Sequence, residues 1–303
     1  MSTVDFIGIG VQKSASTWLW ANLNAHPDVW LPPRKELHYF DRSLNYPSPS
    51  FLATDHIVNR LFSLQPHNKL FRKKAYEEIR LAYIQKDMPR LKWLLRYYLK
   101  NYNDQWYLSL FPDRQNYLKG EITPAYSILH ESDIRHIKDI LPDVKIILTL
   151  RDPVDRAWSQ VKFYKTREIH NVKLDEQKLI EFIESPRQTM RNDYVTIVKT
   201  WKKIFGKQLY IGYYDEIIED PKSYLNKIYH FLGISSHHDV FIKNRINVSK
   251  EITIPPNILD FLYQKYYQDI VTLQKMLDSP YLNHWITQLS HIDSKQKSIY
   301  ESP

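Results

Sequence analysis

Cysteine is absent from the chain, which excludes disulfide bonds, thiolate zinc sites and cysteine nucleophiles. Long apolar runs are absent as well, because no stretch of about 18 apolar residues occurs, and the sequence therefore predicts no membrane-spanning helix. A strand is predicted to begin by residue 4, which leaves no room for a signal peptide. Together these absences predict a cytoplasmic protein.

Negative charge is the scarcer sign, with 34 Asp and Glu residues against 42 Lys and Arg residues and a net charge of +8. This balance favours anionic partners such as nucleotides, acidic glycans, nucleic acids or membrane surfaces, without choosing among them. The 303 residues are 43% hydrophobic, enough for a sizeable core in one large α/β domain or two small ones.

The first stretch that indicates a binding site runs from residue 6 to residue 23. An apolar, β-branched run is typical of a buried strand, and small or polar residues separate it from an amphipathic helix. A strand followed by a short turn and a helix aims free backbone N–H groups at an anion. Lys13 adds a positive charge to this turn. The sequence of the turn matches neither a Walker A loop nor a Rossmann loop. An ordinary turn with a solvated lysine is the alternative interpretation.

A second stretch, residues 26–41, brings two titratable side chains close together. Glu36 and His38 are two residues apart, and in an extended segment they would project to the same side. A lone histidine is more often a structural hydrogen-bonding residue than a catalyst. The neighbouring sequence motifs therefore have to decide its role.

Four motifs occur in the order found in the PAPS-dependent sulfotransferases. KSASTW at 13–18 resembles their K-S-G-T-T-W loop, which holds the 5′-phosphosulfate of the donor. HPDVWLPPRKELHYFD at 26–41 resembles the H-P-D-V…(K/N)-E-x-H-F-F-D segment of heparan sulfate sulfotransferases and their bacterial relatives, in which the glutamate is the general base. RDPVDRAWS at 151–159 resembles the family's R-D-P-x-x-R-x-x-S site for the 3′-phosphate, and a weaker match covers 209–233.

The fourth motif departs from the family at one position. GEITPAY at 120–126 resembles G-E-K-[ST]-P-x-Y, but Ile122 stands where the family has a lysine that approaches an acidic acceptor. Either the acceptor lacks that carboxylate or another cation meets it. This difference argues against transferring the heparan substrate to this chain.

The resemblance implies an α/β fold with a mostly parallel central sheet flanked by helices, a P-loop-like architecture. It predicts one domain over 1–290, with a helical insertion on the acceptor side at about 42–118 and a polar tail at 291–303. Residues 69–100 carry ten Lys or Arg against three acids, which predicts a solvated helical face or an anion-attracting wall of the acceptor cleft. Arg156 is expected to form a salt bridge outside the site.

The resemblance also implies roles for individual residues, with PAPS as donor, PAP as product and no metal. Glu36 takes the acceptor proton, Lys13 stabilises the leaving oxygen, and His38 orients Glu36, contacts the acceptor or replaces Glu36 as base. Because an ordinary glutamate pKa of about 4.3 makes a weak base, either burial or the acceptor raises it or proton transfer comes late. The residues expected to bind the donor are Ser14, Ala15, Ser16, Thr17, Trp18, Arg151, Ser159, Tyr214, Ser249 and Lys250. Those expected to bind the acceptor are Tyr39, Thr123 and Tyr126.

The acceptor class stays open at this point. A carbohydrate hydroxyl is favoured because Glu36 lies in the glycan-sulfotransferase pattern, while a lipid, polyketide or other small alcohol is the alternative. Two other classes of protein require features that differ from these. A nucleotide kinase requires Mg²⁺ ligands and a Walker lysine, and a nucleic-acid-binding protein requires a basic stripe with interleaved aromatics. We expect no nucleic-acid partner, and the sequence does not give the oligomeric state.

Overall fold

A parallel sheet organises the computed structural model, which describes residues 4–47, 54–113, 117–167, 175–237 and 253–288. Within those residues the strands are β1 (Phe6–Gly10), β2 (Val29–Trp30), β3 (Leu118–Ile122), β4 (Lys145–Leu150) and β5 (Leu209–Tyr213). They lie in the order β2-β3-β1-β4-β5, and every described pair of neighbours is parallel.

β1 is the central strand, and each of its five residues is buried. Ile7 of β1 lies opposite Glu121 of β3 on one side and Ile146 of β4 on the other. A parallel strand that is covered on both faces needs apolar residues throughout, which is why FIGIG reads as a continuous apolar run. The buried strand predicted directly before the 13–18 motif is thereby confirmed.

Helices connect and cover these strands. They are α1 (Ser16–Ala25), α2 (Ile57–Phe62), α3 (Pro66–Ile84), α4 (Met88–Tyr98), α5 (Asp104–Ser109), α6 (Glu131–Ile140), α7 (Pro153–Arg167), α8 (Glu176–Glu184), α9 (Pro186–Asn192), α10 (Tyr194–Phe205), α11 (Tyr214–Glu219), α12 (Pro221–Leu232) and α13 (Pro256–Leu277). Short 3-10 turns lie at Pro124–Ile128 and Gly206–Gln208.

The sheet separates two apolar clusters. On one face, Phe6 and Ile147 pack with side chains of α1 and α12. On the other face, Ile146 and Leu148 belong to a larger cluster that includes side chains of α3 to α7, α10 and α13. This arrangement is the predicted α/β fold, with helices on both faces of a parallel sheet.

Local sequence signals set several helix ends. α12 begins where the Asp220 carboxylate accepts from the backbone N–H groups of Lys222 and Ser223. It ends at Gly233, whose φ of 83° is a conformation that glycine adopts without strain. The basic segment predicted as helical is two helices, α3 and α4, because Asp87 caps a new helix start before Pro89.

The predicted insertion on the acceptor side contains α2 to α5, and the predicted tail at 291–303 lies outside the described residues. Among the described helices, none combines the length and the apolar character that crossing a membrane requires.

Candidate active site

The carboxyl ends of β1, β3 and β4 meet at one edge of the sheet, where α/β proteins bind their ligands. β1 ends at Gly10, which has a φ of 110°. A Cβ at this position would lie 2.6 Å from the Pro124 carbonyl oxygen, so only glycine lets these two backbone segments approach this closely. The 11–17 loop that follows β1, which we call the donor loop, therefore starts directly beside the end of β3.

The donor loop turns through two left-handed residues, Lys13 with a φ of 71° and Ala15 with a φ of 60°. The turn brings the N-terminus of α1 to the sheet edge, and no side chain caps this helix start. Its first backbone N–H groups are therefore oriented as the sequence predicts for an anion site. Ser14 is buried, and its hydroxyl has no hydrogen-bond partner among the described residues. A buried hydroxyl without a partner at a helix N-terminus fits an anionic ligand.

Arg151 joins this loop to the end of β4. Its Nη1 donates to the Lys13 carbonyl oxygen at 3.0 Å, and its guanidinium carbon lies 4.3 Å from the centroid of the Tyr214 ring. The Arg151 Nε is buried and has no hydrogen-bond partner within the described part of the chain. A guanidinium fixed at one nitrogen, with donors left over, can bind a phosphate.

Three other donor-side residues have environments that the sequence did not show. The Lys13 ammonium lies 4.4 Å from the centroid of the Phe163 ring. Trp18 is 5% exposed and packs in the α1–α12 cluster, with its ring centroid 6.2 Å from that of Tyr224. Ser159 is buried in α7, two turns after Arg151. Ser249 and Lys250 lie outside the described residues.

The segment after α1 carries Glu36 and is held by contacts with β3 and α4. The Glu36 N–H donates to the Ile122 carbonyl oxygen at 3.2 Å. The Leu37 N–H donates to Thr123 Oγ1 at 3.0 Å, and the Leu37 carbonyl oxygen accepts from the Tyr97 hydroxyl at 2.9 Å. These bonds fix a backbone that has no regular secondary structure.

The backbone at Glu36 and His38 is not extended, so the geometry that would place both side chains on one side of a strand does not apply. Glu36 has a φ of 64° and His38 a φ of 54°, both in the left-handed region. The physical reason is the set of fixed partners on both sides, since Tyr39 N–H also donates to the Tyr126 hydroxyl at 2.8 Å. The two side chains meet all the same, with His38 Nε2 3.5 Å from Glu36 Oε2.

His38 connects two carboxylates. Its Nδ1 lies 2.8 Å from Asp41 Oδ2, and Asp41 is buried. Burial disfavours the imidazolium, but the charges and hydrogen bonds of Asp41 and Glu36 outweigh it and raise the pKa of His38 to about 9. Burial likewise acts to raise the pKa of Glu36, but the hydrogen bond to His38 and the charge of Lys35 lower it to about 2. Near neutral pH Glu36 is therefore a carboxylate and His38 an imidazolium.

Lys35 is a site residue that the sequence analysis missed. Its Nζ lies 3.1 Å from Ser16 Oγ, 2.9 Å from Thr17 Oγ1 and 3.3 Å from Glu36 Oε1. Burial outweighs the attraction of Glu36 and lowers the pKa of Lys35. One ammonium therefore bridges the donor loop and the segment with the candidate base. The signal available in the sequence was its position directly before Glu36.

The predicted acceptor residues lie in the supporting structure. Thr123 and Tyr126 are fully buried, and their hydroxyls are bonded to the 37–39 backbone. The Tyr39 hydroxyl donates to Asp104 at 2.5 Å. Glu121, also missed, accepts from Thr123 Oγ1 at 2.7 Å, and burial raises its pKa to about 7 against the opposing effect of its hydrogen bonds.

Two buried arginines lie behind the acceptor side. Among the described residues, the salt bridge expected for Arg156 does not form. Its guanidinium is buried and bonds to two neutral side chains of α9, the oxygens of Asn192 and Gln188. Arg191 is 1% exposed, and its Nη2 donates to the Pro47 carbonyl oxygen at 3.3 Å. Burial and the neighbouring arginines lower its pKa to about 9, opposed by the charges of the carboxylates of the site.

A helix N-terminus whose geometry suits an anionic ligand thus lies at the sheet edge close to Glu36 and His38. A family profile described as the sulfotransferase family matches residues 5–239. The chain therefore belongs to the sulfotransferase family and is an enzyme that uses PAPS as its sulfuryl donor. No curated protein sequence matches it.

Solved structures of similar fold carry the same description. A sulfotransferase from Alicyclobacillus acidocaldarius has a TM-score of 0.62 at 20% identity, covering 94% of this chain and 99% of its own. A sulfotransferase domain from the curacin biosynthetic pathway has a TM-score of 0.51 at 16% identity, covering 96% and 98%. The sulfotransferase domain of the Synechococcus PCC 7002 olefin synthase has a TM-score of 0.50 at 19% identity, covering 86% of each chain. These likenesses show the α/β fold.

Proposed function

We propose that the enzyme transfers the sulfuryl group of PAPS to a carbohydrate hydroxyl, with Glu36 as the base. The observation that carries this proposal is the position of Lys35, whose ammonium contacts two donor-loop hydroxyls and the Glu36 carboxylate. Glu36 therefore lies one side chain away from the loop that would hold the donor. The assignment to the branch of glycan sulfotransferases similar to the heparan sulfate enzymes rests on the K-E-x-H-x-F-D context of Glu36.

On the donor side, each phosphate of PAPS has its own set of binding residues. Backbone N–H groups of Ala15 to Thr17 and the Ser14 hydroxyl hold the 5′-phosphate. Arg151 and Ser159 hold the 3′-phosphate. Lys13 stabilises the negative charge that develops on the bridging oxygen. Tyr214 orients the Arg151 guanidinium by the ring contact at 4.3 Å and lines the adenine side. Trp18, which is 5% exposed, is proposed to contact the adenine as well. Ser249 and Lys250 are proposed to complete the phosphate site.

In the reaction, a bond forms between the acceptor oxygen and sulfur while the bond from sulfur to the bridging oxygen of the donor breaks. The acceptor proton goes to the Glu36 carboxylate, and PAP leaves with the bridging oxygen. With a pKa of about 2, Glu36 is too weak to deprotonate a ground-state hydroxyl. It accepts the proton late, when the new bond to sulfur has made that proton strongly acidic. His38 is the positioning residue that keeps the carboxylate in place.

The acceptor is assigned from Glu36 and from Ile122. Ile122 is 2% exposed and packs in the apolar cluster of α1 and α12, so this position offers no cation to an acidic sugar. We therefore propose a carbohydrate without a carboxylate at that subsite. A lipid or small-molecule alcohol is the second candidate, because an acceptor of this kind also needs no cation at position 122. Tyr39, Thr123 and Tyr126 act by fixing the segment that faces the acceptor.

The test is transfer of ³⁵S from PAPS to a panel of neutral glycans, uronic glycans, lipid alcohols and small alcohols. Glu36→Gln keeps the shape of the side chain and removes its basicity. We expect labelled neutral glycan with the wild type, no transfer with Glu36→Gln, and PAP affinity near that of the wild type in both. His38→Ala should keep measurable activity.

Two outcomes contradict the proposal separately. Label on lipid or small alcohols alone would transfer the assignment to the second candidate while leaving the chemistry intact. An active Glu36→Gln enzyme beside an inactive His38→Ala enzyme would move the base to His38 and weaken the assignment to the glycan branch.

A further inference from the structure

Exposed apolar side chains are concentrated in one part of the molecule. Twelve of the fifteen large hydrophobic side chains that lie exposed in the described residues belong to residues 58–99, on or directly beside α2, α3 and α4. Phe62 and Leu64 are 77% and 80% exposed, and Tyr76 and Tyr83 are each 66% exposed. Single exposed apolar residues are ordinary, but a concentration of this size marks a binding surface. We call the exposed side of these three helices the α2–α4 surface.

The same surface is strongly basic. Seven Lys or Arg side chains lie exposed between residues 69 and 100, against one exposed acid, Glu77. The other two acids of this stretch are partly buried, and Glu78 pairs with Arg34 while Asp87 caps α4. The cations are therefore not neutralised by acids on the same surface, and the surface attracts anions.

Cations and apolar residues share the same helical stripes. On α3, Lys69, Lys73, Tyr76, Arg80 and Tyr83 follow each other at spacings of four and three and are all exposed. On α4 and its C-cap residue, Met88, Lys92, Leu95 and Leu99 repeat the same spacing, and they are exposed as well. Each stripe thus presents charge and apolar area together within one or two turns.

We propose that the α2–α4 surface binds the headgroup region of an anionic phospholipid bilayer, with the enzyme attached peripherally. Helices that combine basic residues with exposed aromatic and aliphatic side chains bind at bilayer interfaces, where the apolar groups enter the acyl boundary and the cations contact anionic headgroups. The proposal is independent of the acceptor assignment, although α3 and α4 also hold the Glu36 segment through Arg34 and Tyr97.

Two other anionic or apolar partners fit the surface less well. Protein interfaces are depleted in lysine at their centres and place charge at the rim, whereas here each stripe contains lysine together with apolar side chains. Single-stranded nucleic acid binds through aromatic rings on which bases stack. Nine of the twelve exposed apolar side chains on this surface are aliphatic, and an aliphatic group has no ring for a base to stack on.

The first experiment measures binding of the full-length chain to vesicles of phosphatidylcholine with and without phosphatidylglycerol, at low and high salt. We expect binding to the anionic vesicles only, weakened by salt. Lys73→Glu/Arg80→Glu should weaken it by at least about 25-fold, because each cation near an anionic bilayer contributes about a fivefold change in affinity. Lys207→Glu/Lys222→Glu is the matched control, since it changes the net charge equally with two exposed cations elsewhere.

The second experiment tests the apolar contribution. Leu64→Ser/Tyr83→Ser should lower the affinity for anionic vesicles at high salt, where the electrostatic attraction is screened. Ile218→Ser/Tyr267→Ser is the matched control, because it removes one exposed aliphatic and one exposed tyrosine outside the surface. Circular dichroism and PAP binding check that each variant is folded.

Three outcomes would overturn the proposal. The first is absence of binding to anionic vesicles at low salt, and the second is equal loss of binding in the surface variants and their controls. The third is another occupant of the surface: a dimer in solution that the surface variants separate, or tighter binding of single-stranded DNA than of anionic vesicles, lost in the same variants.

Discussion

The protonation state of His38 gives a prediction whose size follows from the structure. His38 is almost completely buried between Asp41 and Glu36, and its pKa is raised from an ordinary 6.5 to about 9. A difference of about 2.5 between folded and unfolded states corresponds to about 3 kcal/mol of folding free energy, at 1.36 kcal/mol per pKa unit. Because the folded pKa is the higher one, this contribution is complete below pH 6.5 and is lost as pH rises through about 9.

The perturbation that isolates this effect is His38→Asn. Asparagine tolerates the φ of 54°, and its amide can still donate to Asp41, but it carries no titrating charge. Urea unfolding of the two proteins should therefore show a wild type that loses about 3 kcal/mol more than the variant between pH 6.5 and pH 9. NMR titration of the imidazole supplies the pKa directly. An imidazole that titrates near 6.5, or an equal loss of stability in the variant, would refute the reasoning.

Four further predictions follow from the site. Arg151→Ala should remove most of the thermal stabilisation by PAP, and equal stabilisation of the wild type by PAP and AMP would contradict the 3′-phosphate site. Lys13→Ala should lower turnover by about 10²–10³-fold with little loss of PAP affinity. Lys35→Met should lower turnover and also raise the KM for PAPS. If the two variants show the opposite pattern, the roles of the two lysines are exchanged. Ala15→Gly should raise the unfolding free energy by about 1 kcal/mol in denaturant, because alanine at a φ of 60° is strained; an unchanged or lower value would contradict this. PAP should raise the pKa of Glu36, measured by its carboxyl ¹³C shift, because the bound phosphate would attract the Lys35 ammonium away from the carboxylate. An unchanged pKa would contradict the proposal that Lys35 links the donor site to Glu36.

Local sequence signals were sufficient for much of the fold. The apolar runs of β1, β4 and β5 are bounded by turn residues, and α12 carries an aspartate cap and a terminal glycine. The order of the motifs then placed the donor loop, the Glu36 segment and Arg151 at the strand ends. Parallel strands bring such ends to one edge, so the general position of the site followed from the strand pattern.

The details of the site depend on contacts between residues far apart in the sequence. The bond from Leu37 to Thr123 joins residues 86 positions apart, and that from Tyr39 to Tyr126 joins residues 87 apart. No local signal indicates a left-handed Glu36, because this conformation is imposed by partners on β3 and the turn after it. Lys35 was missed for the same reason, since its role depends on hydroxyls of α1 that the fold brings to it.

The surroundings of His38 also support the proposal that a carboxylate, Glu36, is the base. His38 could replace Glu36 only as a neutral imidazole, but Asp41 and Glu36 hold its proton until about pH 9. An imidazolium has no lone pair with which to take a proton, whereas the Glu36 carboxylate accepts one at any pH above about 2. The environment thus reverses the ordinary basicity order of the two side chains, because it makes the histidine a fixed cation and leaves the weaker base as the group that can receive the acceptor proton.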